Sequence, residues 1–305
     1  MFKASAPGSL MLLGEYAVLY GFHALVCAID KRIHVTIVPR IDQKIKIESA
    51  LGSYETTLSH LDLISPFEFV LASLQAFKKN LQNGCDILIE SEFSENIGFA
   101  SSAAVTVAVL RALSAWHQLS FSKPQLIKLA RKIIQRVQGT GSGADAAACV
   151  MGGIVLYRIK PFVAEKFSSI HPMTVVYSGS KTKTPHAIQW VQEKFRDFPK
   201  LYSRLMKTID ECVLLGALAL HEKNWQKLGN VMTVQQELMS ALGVNTKALQ
   251  SIIDCMRDET SLYGAKISGA GLGDCVVALG ESKLETGLKQ IPVNMTLEGV
   301  KIEKI

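Results

Sequence analysis

The chain has 305 residues, of which 48% are hydrophobic and 20% are charged, and its formal net charge is +6. This composition is typical of a folded globular protein and excludes a disordered chain. Lys and Arg are scattered along the sequence without a dense run, so the charge favours anionic small molecules, and we expect no nucleic-acid partner.

The six cysteines lie far apart and form no CxxC pair. This spacing predicts core thiols in a reducing cytoplasm and argues against a zinc site or a redox pair. The sequence shows no signal peptide and no apolar stretch long enough to cross a bilayer. We therefore expect a cytoplasmic protein without a membrane partner.

In chain order, a turn is predicted at APGS (6–9), and the apolar runs that follow predict strands, with helical spacing further on. The predicted strands lie at 24–29, 34–39, 44–50, 85–93, 153–157, 173–178 and 275–279, and the predicted helices at 63–81, 101–118, 123–138 and, in several segments, 184–259. A change in composition near 160–169 predicts two domains, 1–165 and 166–305. Strands and helices mix without regular βαβ alternation, which predicts an α+β fold.

One stretch, ENIGFASSAAVTVA at 95–108, is a small-residue loop that leads directly into an apolar helix. Unpaired N–H groups and the positive end of the helix dipole favour a phosphate at such a helix start. The alternative interpretation is an ordinary N-cap before a core helix. The loop does not match GxxxxGK[ST], so a P-loop nucleotide site is not indicated.

Two further glycine-rich stretches, GTGSGAD (139–145) and GAGLG (269–273), are each attached to a regular element. Three such loops predict that backbone from distant parts of the chain converges on one polyanion. Asp145 follows the second loop, where a carboxylate could take or orient the proton of an alcohol that attacks a phosphate. The alternative for Asp145 alone is that it caps the helix.

Four motifs in this order resemble the GHMP kinase superfamily over nearly the full length, and within it the mevalonate kinases. They are APGSLMLLGEYAVLYG (6–21), GFASSAA (98–104), GSGADAA (141–147) and SGAGLGD (268–274). The resemblance implies an α+β fold with a ribosomal-S5-like N-terminal domain, a ferredoxin-like C-terminal domain and the active site between them. It also implies ATP-dependent phosphorylation of the C5 hydroxyl of mevalonate in isoprenoid precursor synthesis, with Mg²⁺, by a homodimer.

The resemblance assigns roles residue by residue. Asp145 would accept or orient the substrate proton, and Ser102 would lie near magnesium. The residues implied to contact the nucleotide are Gly98, Phe99, Ala100, Ser101, Ser102, Ala103, Gly269, Gly271 and Gly273. The residues implied to lie near the substrate are Glu15, Tyr16 and Gly143.

This sequence departs from the family pattern at several positions. Ser9 stands where the family has a lysine, and Lys181 and Lys183 are candidates to replace that charge. Ile134 stands near the position of a magnesium-binding carboxylate, and Phe99-Ala100 replaces leucine-glycine. The motif GAGLGD ends in Asp274, which is more similar to the pattern of phosphomevalonate kinases. Phosphomevalonate therefore stays open as the acceptor, as does a catalytically impaired nucleotide-binding protein.

Overall fold

The computed structural model describes residues 1–282 and 290–303. A large mixed sheet forms the N-terminal domain, and its order is β12-β1-β2-β5-β3-β4, with β6 paired to the first half of β2 and β7 to β6. Its strands are β1 (Phe2–Leu13), β2 (His23–Pro39), β3 (Lys44–Ser49), β4 (Gly52–Thr57), β5 (Cys85–Ser91), β6 (Ile154–Arg158), β7 (Val163–Phe167) and β12 (Lys301–Glu303). The strands predicted at 24–29 and 34–39 are one long strand, β2.

Helices cover this sheet and position the loops that the sequence singled out. They are α1 (Glu68–Ala76), α2 (Ser101–Trp116), α3 (Lys123–Gln138) and α4 (Ala144–Met151). The small side chains of α2 and α4 allow both helices to pack closely on β1 and β2. Ser122 and Gln125 form a capping box that starts α3, and Gly139 ends it in the left-handed conformation.

The C-terminal domain is a smaller antiparallel sheet in the order β11-β8-β10-β9, packed against helices. Its elements are β8 (Met173–Tyr177), α5 (Thr184–Lys194), α6 (Pro199–His221), α7 (Trp225–Leu242), α8 (Lys247–Arg257), β9 (Ala265–Ser268), β10 (Cys275–Leu279) and β11 (Gln290–Ile291). The loop at 269–274 joins β9 to β10. Because β9 and β10 pair with each other, both ends of this loop are held by the sheet.

The two domains contact each other, and the end of the chain returns to the sheet of the N-terminal domain. A 3-10 helix at Ala17–Tyr20 packs on α6, and β12 near the end of the chain pairs with β1. The boundary predicted between residues 165 and 166 stays a prediction, but it falls inside β7, and β12 adds the chain's end to the first sheet. Within the described ranges, no helix has the length and apolar content to span a bilayer.

The turn predicted at APGS was wrong, because these residues lie inside β1. The pairing of β1 with β2 shifts register between Pro7 and Ser9, where residues 29–31 of β2 lie opposite Gly8 alone. Proline has no N–H to donate and is tolerated at such an irregularity of the pairing. The irregularity therefore accounts for a proline within the strand.

Candidate active site

The first predicted loop ends in an unusual backbone conformation that starts α2. Ala100, the N-cap residue, has a φ of 54°, and the Phe99 side chain is fully buried against Phe93. The Phe99 N–H donates to the Ile97 carbonyl at 2.7 Å and the Phe99 carbonyl accepts from Ser9, so its predicted contact with the nucleotide stays a prediction. Ser101 and Ser102 are half-buried at the first turn, where N–H groups without helical acceptors favour an anion.

Asp145 lies in the first turn of α4, directly after Gly143, whose φ is 88°. A Cβ at Gly143 would meet Arg131 Cδ and Tyr157 Oη, both at 2.8 Å, so the close packing here requires glycine. Asp145 is half-buried, which leaves part of its side chain open to a ligand.

The pKa of the Asp145 carboxyl is raised, first because burial disfavours its charged form and also because Glu15 is negatively charged nearby. A hydrogen bond from Ser9 acts in the opposite direction and lowers this pKa. The balance between the two suits a group that exchanges a proton.

Ser9 joins Asp145 to the first loop. Its Oγ donates to Asp145 Oδ1 at 2.9 Å, and its backbone N–H donates to the Phe99 carbonyl at 3.1 Å. One residue of β1 therefore holds the carboxylate and the start of α2 next to each other. The family lysine is absent at this position, so the contact supplies a hydroxyl and no positive charge.

The third loop meets the first from the C-terminal domain. A Cβ at Gly98 would lie 2.3–2.4 Å from the carboxylate atoms of Asp274, so this carboxylate lies directly on Gly98. The Tyr16 hydroxyl donates to the Ala270 carbonyl at 2.5 Å. The predicted convergence of the three loops is thus present in the structure, with Ser9 and Asp274 as the linking residues.

Asp274, the last residue of the SGAGLGD motif, is a half-buried acid. Burial raises its pKa, whereas the charge of Lys181 and the Gly98 N–H lower it. Its Oδ1 is buried and, within the described part of the chain, has no hydrogen-bond partner. Lys181 is therefore a cation near this acid, and Oδ1 stays available to a further ligand.

Glu15 and Tyr16, both predicted to lie near the substrate, are buried. Glu15 forms an ion pair with the fully buried Lys266 and accepts a hydrogen bond from Gln235, whose own side-chain oxygen accepts from Gly14 N–H at 3.1 Å. These partners come from the C-terminal domain. The carboxylate of Glu15 is therefore committed to joining the domains, and its predicted contact with substrate stays a prediction.

Lys266 and Gln235 were missed by sequence reasoning. A lysine inside the buried strand AKIS and a glutamine inside an apolar helix are the signals that could have found them, because buried polar groups require partners.

Ser102, the predicted magnesium ligand, lies half-buried in the first turn of α2. Among residues 1–282 and 290–303, no group of three or more His, Cys, Asp or Glu side chains could hold a metal. Mg²⁺ commonly uses one or two carboxylates and the substrate's phosphates rather than an all-protein cage. The unpartnered Asp274 Oδ1 beside the first loop is compatible with that mode of binding.

Comparison with known proteins agrees with this geometry. The family described as GHMP kinases N terminal domain matches residues 68–153, and GHMP kinases C terminal matches residues 214–291. The chain belongs to the GHMP kinase family. Both the family prediction and the α+β fold with two GHMP kinase domains are confirmed.

Full-length relatives of this GHMP kinase include mevalonate kinases. That of Archaeoglobus fulgidus is 32% identical, with 99% of each chain covered. That of Pyrococcus horikoshii is 31% identical over 99% of this chain and 98% of its own.

Solved structures share the fold. A mevalonate kinase crystal structure has a TM-score of 0.79 at 24% identity, covering 97% of this chain and 99% of its own. Streptococcus pneumoniae phosphomevalonate kinase in complex with phosphomevalonate and AMPPNP has a TM-score of 0.81 at 20% identity, covering 97% of this chain and 100% of its own.

Proposed function

We propose that this chain transfers the terminal phosphoryl group of ATP to the C5 hydroxyl of mevalonate. The observation that carries the proposal is the double hydrogen bond of Ser9, which holds Asp145 beside the loop that starts α2. Phosphoryl transfer to an alcohol requires positioned phosphates and an acceptor for the hydroxyl proton, and this pairing provides for both. The names of the full-length relatives support mevalonate as the acceptor.

Each residue then has a defined task. Backbone N–H groups at 100–102, which start α2, and the turns at Gly269, Gly271 and Gly273 surround the phosphates. Asp145 accepts or orients the proton of the attacking hydroxyl, which it can reach from its open side. Gly143 allows α4 to start close to Arg131 and Tyr157, so that Asp145 is held in place.

Ser102 and Asp274 are the residues that would hold Mg²⁺. The bound ion would neutralise charge on the phosphates during transfer. Glu15 and Tyr16 act from behind the site, because their contacts with Lys266 and Ala270 fix the third loop relative to Asp145.

The phosphomevalonate alternative rests on Asp274, whose motif resembles that family. The test is ADP release with ATP and Mg²⁺, measured separately with mevalonate and with phosphomevalonate. We expect turnover with mevalonate and loss of it in Asp145→Asn. Turnover with phosphomevalonate and none with mevalonate would show that phosphomevalonate is the acceptor. ATP binding without turnover of either acceptor would favour a catalytically impaired nucleotide-binding protein.

The assembly and location belong to the same proposal. A homodimer follows from the family resemblance and is checked by sedimentation of the full chain. The cytoplasmic location is checked by fractionation of cells that express the protein.

A further inference from the structure

A short segment of the C-terminal domain, residues 178–182, is fastened to the third loop. Ser178 N–H donates to the Asp274 carbonyl at 2.9 Å, and Asp274 N–H donates to the Ser180 carbonyl at 2.6 Å. Thr182 Oγ1 donates to the Leu272 carbonyl at 2.8 Å. Lys181 lies between two of these anchored residues, so its backbone is held in a fixed relation to the loop.

The side chain of Lys181 reaches across to the N-terminal domain. Its Nζ donates to the Glu95 carbonyl at 2.6 Å, at the entrance of the loop that starts α2. Next to it, the carboxylate of Asp274 lies on Gly98. A cation and an acid from one domain therefore close on residues 95–98 of the other.

The charged side chains around the first and third loops supply little positive charge for a bound polyanion. Ser9 brings no positive charge to the phosphate side of Asp145, and Asp274 adds a negative one. The buried Lys266 is already paired with Glu15. Lys181 is exposed, its charge stabilises that of Asp274, and the hydrogen bond that its ammonium donates within the described chain goes to an uncharged carbonyl. An ammonium group forms stronger hydrogen bonds with a phosphate oxygen than with a neutral acceptor.

We propose that Lys181 is a phosphate-binding residue, whose Nζ exchanges the Glu95 carbonyl for a phosphate oxygen of the nucleotide. The inference rests on the proposed function, because it requires ATP at the first loop. It adds a charged contact from the C-terminal domain to the nucleotide and supplies the charge that Ser9 lacks. Of the two candidate lysines, Lys181 is the one whose ammonium donates to the first loop, whereas Lys183 lies at the N-cap of α5.

The experiment compares Lys181→Met with Lys183→Met, the same substitution two residues along the same exposed segment. Binding of ATP, ADP, AMP and adenosine to the full chain is measured by calorimetry with Mg²⁺ present. We expect Lys181→Met to bind ATP at least about tenfold more weakly, which corresponds to about 1.4 kcal/mol. Adenosine binding should not change, and Lys183→Met should bind ATP as the wild type does.

The nucleotide series then locates the contact, since the loss in Lys181→Met must diminish as phosphates are removed. Lys181→Arg keeps the charge and should recover most of the ATP affinity. The inference is overturned if Lys181→Met binds ATP within about twofold of a wild type that does bind it. An equal loss for ATP and adenosine would also overturn it. A wild type that binds no ATP would instead overturn the proposed function, and the inference with it.

Discussion

Removing the hydroxyl of Ser9 should shift the acidic limb of the pH–activity profile upward. In Ser9→Ala, Asp145 loses the hydrogen bond that stabilises its charged form, while the burial that raises its pKa stays. A hydrogen bond to a charged group contributes about 1.5–3 kcal/mol. At about 1.4 kcal/mol per pKa unit, the pKa of Asp145 should rise by about one to two units.

The assay is kcat/KM for mevalonate across pH, with saturating ATP and Mg²⁺. A base must be deprotonated to act, so Ser9→Ala should lose activity most at low pH and recover as pH rises. Ser5→Ala is the matched control, because Ser5 lies on the same strand and is fully buried but bonds to Arg32. The reasoning is refuted if the acidic limb of Ser9→Ala coincides with that of Ser5→Ala.

Three further predictions concern the same site. Asp145→Asn should lower kcat by about 10²–10⁴-fold. Asp145→Asn should also raise the melting temperature, because the raised pKa of Asp145 means that folding buries its charge at a cost. This gain in melting temperature should grow as the pH rises above 3.8, the ordinary pKa of an aspartate. An equal gain at pH 4 and pH 8 would contradict a raised pKa for Asp145. Lys266→Met leaves Glu15 buried without its charge partner and should reduce the free energy of unfolding by about 3–5 kcal/mol, measured by urea denaturation; an unchanged midpoint would be evidence against the interdomain pair. Gly143→Ala forces a Cβ against Arg131 and Tyr157 at a positive φ, so kcat should fall far more than ATP affinity, and equal losses in both would show that the change is not local to Asp145.

The sequence could predict the loops and Asp145 because each is encoded locally. Glycines at 139–143 followed by a small-residue helix predict where α4 begins, and Asp145 lies in its first turn as expected. The same holds for the start of α2 at Ser101. Local patterns of this kind depend on a few consecutive φ and ψ values and need no knowledge of distant partners.

The contacts between these loops could not be predicted in the same way. Glu15 is separated by 251 residues from Lys266, and no local pattern says that the two are paired. The turn-like APGS was misread because these residues are held in β1 by pairing with β2, a strand that comes later in the chain. The return of β12 to β1 likewise depends on the finished sheet rather than on the three residues that form the strand.

The central claim is that distant small-residue loops enclose one triphosphate while Asp145 faces the acceptor hydroxyl. A crystal structure with mevalonate and a non-hydrolysable ATP analogue tests it most directly. We predict the triphosphate between the Gly98 and Ala270 loops, and an Asp145 carboxylate oxygen about 2.6–3.2 Å from the C5 hydroxyl. A triphosphate bound away from either loop, or an acceptor hydroxyl out of reach of Asp145, would contradict the claim.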